Sequence, residues 1–184
     1  MINIGVIHGR FQILHHDHLK YLLAGKERCQ HLIVGISNPD PNQTKSESVD
    51  PKRSSAAANP LTYYERLLLV RASLEESGIP LADFSIVPFP INFPELLLNY
   101  VPPDATFFLT IYDDWGKKKL ARFQELGLKT EILWQRALGQ KGQTATEIRR
   151  RILHDEAWQD LVPASVATLL KKINIEERLH KMAG

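Results

Sequence analysis

The chain opens on an apolar run, Ile2-Asn3-Ile4-Gly5-Val6-Ile7. One residue later it enters Gly9-Arg10-Phe11-Gln12-Ile13-Leu14-His15-His16-Asp17-His18, a basic, histidine-rich turn ahead of a helical pattern. A buried strand feeding a glycine turn and then a helix N-terminus aims backbone N–H groups and the positive end of a helix dipole at one point. That arrangement suits a phosphate. Working outward, further strands are expected at Leu32 to Ile36, Phe84 to Phe89, Thr106 to Ile111 and Thr130 to Trp134. Most are apolar throughout, as strands covered on both faces are.

Between the strands lie helical periods at His18 to Arg28, at Thr62 to Glu76 closed by Gly78, at roughly Pro94 to Tyr100, and at Trp115 to Leu126 closed by Gly127. This alternation predicts an α/β fold, a Rossmann-like, doubly wound parallel sheet of about five strands with helices on both faces. Ligands of such sheets gather outside the carboxyl ends of the strands, the edge to which the Gly9 to His18 turn belongs. Two helices should end the chain. Thr144-Ala145-Thr146-Glu147 has capping-box spacing ahead of a helix from Glu147 to His154, and Pro163 suits the first position of a last helix through about Lys181. Residues 1–184 are expected to form a single domain, with 144–184 as its C-terminal helical part. The polar segment Ser37 to Asn59, with Pro39, Pro41 and Pro51, shows neither period and reads as a long loop, with a lid slightly favoured over disorder.

With 43% hydrophobic residues in 184, the chain can bury an ordinary core, and a formal charge of +2 is too small for a general nucleic-acid or membrane surface. Cys29 is the only cysteine, which excludes an intramolecular disulfide and a cysteine-rich zinc site and fits a reducing compartment. No stretch approaches a membrane span or a leader, so a soluble, cytoplasmic protein is expected.

Two constellations carry chemistry. His15 lies in the turn and His18 on the opening helical turn, where two imidazoles can face one phosphoryl group and neutralise charge that builds during displacement. Taken alone, H-x-x-H reads at least as well as a solvated turn, and no further ligand completes a zinc set. Later, the hydroxyls of Thr144 and Thr146, free helix N–H groups and the fork of Arg149 suit terminal phosphates, although a capping box followed by arginines is also common on solvated helices.

Their order is more telling than either alone. Strand, G-R-F-Q, H-x-x-H, helix and a late T-x-T-E-I-R resembles the nucleotidylyltransferase superfamily, marked by H-x-G-H and I-S-x-T-x-x-R. Within it the chain looks most like the archaeal-type nicotinamide mononucleotide adenylyltransferases, which carry G-R-F-Q-P-F-H-x-G-H and N-P-F-T-x-x-E-R. The middle element here is Asn59-Pro60-Leu61-Thr62-Tyr63-Tyr64-Glu65-Arg66, and the likeness continues through Thr144 to Arg151, Trp158 to Pro163 and Glu177-Arg178.

The resemblance implies that Gly9, Arg10 and Phe11 line the nucleotide, with Arg10 near the triphosphate. His15 and His18 would stabilise the reacting phosphate, while Thr144, Thr146 and Arg149 would hold the leaving pyrophosphate. It further implies ATP as substrate, Mg²⁺, and in-line attack by a phosphorylated small-molecule acceptor, nicotinamide or nicotinate mononucleotide first, in NAD biosynthesis. No nucleic-acid or membrane partner is implied, and homo-oligomers are left open.

Several positions depart from the family pattern. Asp17 replaces the glycine between the histidines and also suits an N-cap for a helix starting at His18. Ile13 and Leu14 replace Pro and Phe. Thr110-Ile111-Tyr112-Asp113-Asp114-Trp115 stands where relatives have Ser-Gly-Asn, and only Phe93 stands where relatives have a stacking tryptophan. Trp115 and Trp134 are uncommitted, and Lys52 and Arg53 in the loop could reach a phosphate. Transfer of a cytidylyl group to another phosphorylated acceptor, and a non-catalytic nucleotide sensor, are the alternatives.

Overall fold

The structure, a computed structural model, describes residues 1–40, 55–135, 139 and 142–183. Lys52, Arg53 and most of the expected lid lie outside the described residues, as does the side chain of Trp115. Five parallel strands form one sheet in the order β3-β2-β1-β4-β5: β1 Ile2–Gly9, β2 Cys29–Ser37, β3 Phe84–Phe89, β4 Thr106–Ile111 and β5 Lys129–Gln135. The chain winds outward from β1 to β3, then returns to place β4 on the other side of β1. The order therefore reverses at the carboxyl end of β1, where a doubly wound sheet opens a crevice.

Alternation along β1 assigns its two faces. Ile7 belongs to one buried cluster with Leu22, Leu69, Ile148, Val166 and Leu179, and Val6 to another with Phe89, Phe107 and Phe123. Helices α1 (His16–Lys26) and α2 (Tyr63–Glu76) pack on the Ile7 side, joined there by α4 (Ala145–Leu153), α5 (Ala164–Lys172) and α6 (Ile175–Ala183). Helix α3 (Asp114–Glu125) covers the Val6 side through Phe123 and Leu120.

Several local expectations are corrected. Helix α1 starts at His16, and His15, not Asp17, is its N-cap. Residues Pro94–Asn99 form a 3₁₀ helix, with Pro at its start, rather than an α-helix. The last helix is two, because Asn174 takes a left-handed φ of 52°, which asparagine tolerates, and breaks the run after Ile173. Pro163 caps α5 rather than opening it. Thr144 accepts from the Glu147 N–H as expected, but the Glu147 carboxylate pairs with Arg150 and Arg151 instead of returning to the cap. A full capping box occurs at Thr62–Glu65.

Candidate active site

At the end of β1 the chain turns through Phe11, whose φ of 50° is left-handed. The Phe11 ring is fully buried and lies over Gly9, where an added Cβ would come within 2.7 Å of it. The packing of the Phe11 ring therefore requires glycine at position 9. Gln12 ties the turn to the middle motif, since its amide donates to Leu61 O and accepts from Leu61 N–H, both at 2.8 Å. Arg66 completes the frame by donating to Arg10 O, Ser37 O, Asn38 O and Thr62 O. Arg66 is 2% exposed. Arg66 therefore fixes the exits of β1 and β2 from outside the cavity, a role that the sequence pattern did not disclose.

The two motif histidines meet. Their rings stack at 3.8 Å, and the edge of His18 faces Phe11 at 5.2 Å. His15 Nδ1 accepts from the backbone N–H of His18. With that nitrogen acting as acceptor, a neutral His15 carries its proton on Nε2, which leaves a donor for a phosphoryl oxygen.

The late motif reaches the same place. Arg149, 8% exposed, donates to Gln12 O and, at 3.2 Å, to the Thr146 hydroxyl. Residues 137 positions apart are thus joined directly. No carboxylate pairs with Arg149 among the described residues. Burial, and then the neighbouring charge of Arg10, push its pKa down to about 10, so it stays cationic at neutral pH in a setting that an anion would relieve.

All of these line a cavity of about 870 Å³, at the large end for small-molecule sites, with Gly9, Arg10, Phe11, His15, His18, Thr144, Thr146 and Arg149 in its wall. Thr110, Tyr112 and Asp113, from the stretch that departs from the family pattern, line it too, as does Trp134, whose indole N–H donates to the Tyr112 hydroxyl. Phe93 does not. Asp17 also faces in and packs so closely on Gly142 that a Cβ there would collide with its carboxylate. The carboxylate that replaces the motif glycine therefore has matching space opposite it. Among the described residues no three His, Cys, Asp or Glu side chains converge as a metal cage. The donor set would fit Mg²⁺ only as an ion carried in by the nucleotide, with Asp17 and Asp113 the carboxylates in the cavity wall.

One residue was missed. His8 stands at the end of the strand, on the Val6 side, 6% exposed, stacked on Phe89 at 4.7 Å and lining the cavity. Neither of its ring nitrogens has a hydrogen-bond partner among the described residues. An orphaned buried polar group costs on the order of 1–3 kcal/mol. The available signal was a histidine closing an otherwise apolar strand just before the glycine turn.

The sequence model of the family described as "Cytidylyltransferase-like" matches residues 6–151, and the chain belongs to that family. It is 51% identical over 176 residues to the phosphonoformate cytidylyltransferase of Streptomyces viridochromogenes, covering 96% of this chain and 95% of that one. It is 33% identical to the nicotinamide-nucleotide adenylyltransferase of Thermococcus sibiricus over 97% of this chain and 89% of that protein. Among solved structures, a bifunctional NMN adenylyltransferase/ADP ribose pyrophosphatase from Francisella tularensis superposes with a TM-score of 0.71 at 16% identity. The match takes in 98% of this chain and 53% of that one, so the chain spans about half the length of that protein. These matches establish a nucleotidyltransferase with the corresponding fold. Among the described residues no helix is long and apolar enough to cross a membrane.

Proposed function

We propose that the protein transfers the cytidylyl group of CTP to a small acidic phosphonate or phosphomonoester and releases pyrophosphate. The observation that carries the transfer reaction is the direct joining of Arg149 and Thr146 to the turn that holds His15 and His18, which sets donors for a leaving pyrophosphate beside donors for the reacting phosphate. An acceptor oxygen attacks the α-phosphorus, a P–O bond forms to the acceptor, and the bond to the β-phosphate oxygen breaks. His15 and His18 hold the α-phosphoryl oxygens as negative charge builds, while Thr144, Thr146 and Arg149 take the departing charge. Arg10 neutralises the triphosphate along its length. Mg²⁺ would arrive with the nucleotide and supply charge neutralisation there.

The preference for cytidylyl over adenylyl transfer is supported by the 51% identity to a phosphonoformate cytidylyltransferase along nearly the whole of both chains. Two departures agree with it. Phe93 lies outside the cavity wall, so the described residues offer no counterpart there of the tryptophan that the adenylyltransferases stack on nicotinamide, and Thr110, Tyr112 and Asp113 occupy the Ser-Gly-Asn position. Adenylyl transfer to nicotinamide mononucleotide is the second reading, favoured by 33% identity to the archaeal enzyme and by the Asn59 to Arg66 element. Pyrophosphate release with CTP or ATP against phosphonoformate or nicotinamide mononucleotide separates them. CTP with phosphonoformate should turn over, whereas NAD formation from ATP would replace this reading with the second.

A further inference from the structure

His15, His18, Thr144, Thr146 and Arg149 approach the cavity from α1 and α4, on the Ile7 side of the sheet. His8 enters it from the other side. Its ring lies nearly parallel to Phe89, with an interplanar angle of 11°, and tilts against Phe123 of α3 at 5.5 Å. A phenylalanine would fill this aromatic slot and strand no nitrogen, yet a histidine stands there with both nitrogens unpartnered among the described residues. The charged group acting on it is Lys119, also on α3 and also in the cavity wall.

We propose that His8 and Lys119 form the subsite for the second acidic group of the acceptor, such as the carboxylate of a small phosphonate whose phosphonate oxygen is the nucleophile. This deepens the cytidylyltransferase reading and rests on it. Burial, and then Lys119, hold the His8 imidazole well below its ordinary pKa. The ring is therefore neutral and offers one directed N–H, while Lys119 supplies the charge. An arriving anion meets the Lys119 ammonium in the cavity wall and gives the stranded imidazole N–H its partner. The acid group held there takes no part in bond making. It turns the phosphonate toward the α-phosphorus, from the side of the sheet opposite the pyrophosphate donors.

The test uses the full chain, with phosphonoformate as the probe. His8→Phe should raise the melting midpoint by a few degrees, as the stranded nitrogens are removed, and hold KM for CTP within about twofold, while KM for phosphonoformate rises at least about twentyfold. His8→Gln, which restores a donor, should recover part of that loss. In [¹⁵N]histidine-labelled wild type, the ring resonance missing from His8→Phe should move on adding phosphonoformate and stay put on adding CTP alone. A His8→Phe enzyme with KM for phosphonoformate within threefold of wild type overturns the subsite, and so does an equal rise in both KM values. Wild type that releases no pyrophosphate from CTP and phosphonoformate overturns the substrate reading instead. In that event a His8 resonance that still shifts with phosphonoformate sustains the subsite, and one that ignores it overturns the subsite.

Discussion

The two sides of the sheet's carboxyl edge are built differently. On the α1/α4 side three key groups are anchored by hydrogen bonds. His15 is a helix cap, Thr144 is another, and Arg149 is bonded to the first turn. On the α3 side, the His8 ring is packed between rings with no hydrogen bond among the described residues, and Lys119 is a half-buried side chain of α3 in the cavity wall. On the function proposed above, the first side carries the chemistry of nucleotidyl transfer, which needs preorganised donors, and the second selects the acceptor.

If this division is right, the largest losses come from the anchored side. His18→Ala should fold normally and lower kcat by about 10³-fold, the scale of losing a directed donor in a water-poor site. Full turnover in that variant would break the contrast. Arg149→Ala should cost roughly 10²-fold in turnover and also weaken product inhibition by pyrophosphate, measured as a higher inhibition constant. An unchanged inhibition constant would move Arg149 out of the leaving-group role.

A smaller effect sharpens the contrast at Asp17. Gly142→Ala should raise KM for the triphosphate by about tenfold, because the new methyl must displace the Asp17 carboxylate. Asp17→Gly in the same chain should remove most of that penalty. Equal penalties with and without Asp17 would show that the two positions are independent.

The smallest effect lies outside the site. Arg178 donates to both oxygens of Glu65 at 2.7 and 2.8 Å and to Pro60 O, fastening α6 to the start of α2. Arg178→Ala should cost about 2 kcal/mol, a fall of a few degrees in Tm, with turnover at low temperature unchanged. Burial works to raise the Glu65 pKa, but the bonds from Arg178 and Thr62 outweigh it and leave the carboxyl below the ordinary glutamate range. A carboxyl depressed in the folded state stabilises fully above its unfolded pKa and loses that contribution as pH falls through the folded value. The Tm gap between wild type and Glu65→Gln should therefore be open at pH 7, begin to narrow near the unfolded glutamate pKa of about 4.3, and close only once pH falls below the lower folded value.

The same contrast governs what the sequence discloses. Apolar strands, glycine closures and hydroxyl caps are local signals, and they predicted five strands, the sheet class and helices within a few residues of those found. His15, His18, Thr144, Thr146 and Arg149 stood out through the order and combination of their two motifs, each of which opens at a helix start. Arg66 was visible as part of a motif, but its four carbonyl partners come from three separate segments, which no spacing reveals. His8 gave only a polar residue in an apolar run. The break at Asn174 was missed because Val166, Leu169, Leu170 and Ile173 keep helical phase right up to it, and one left-handed residue leaves no trace in periodicity.

On the proposed function, one polyphosphate chain lies between the histidine pair and α4. A crystal structure with the α,β-methylene analogue of CTP tests it most directly. The α-phosphonyl oxygens should lie within hydrogen-bond distance of His15 and His18, with the β- and γ-phosphates on Thr144, Thr146 and Arg149. A triphosphate bound along α3 instead, with Arg149 still turned to Gln12 and touching no phosphate, would contradict it.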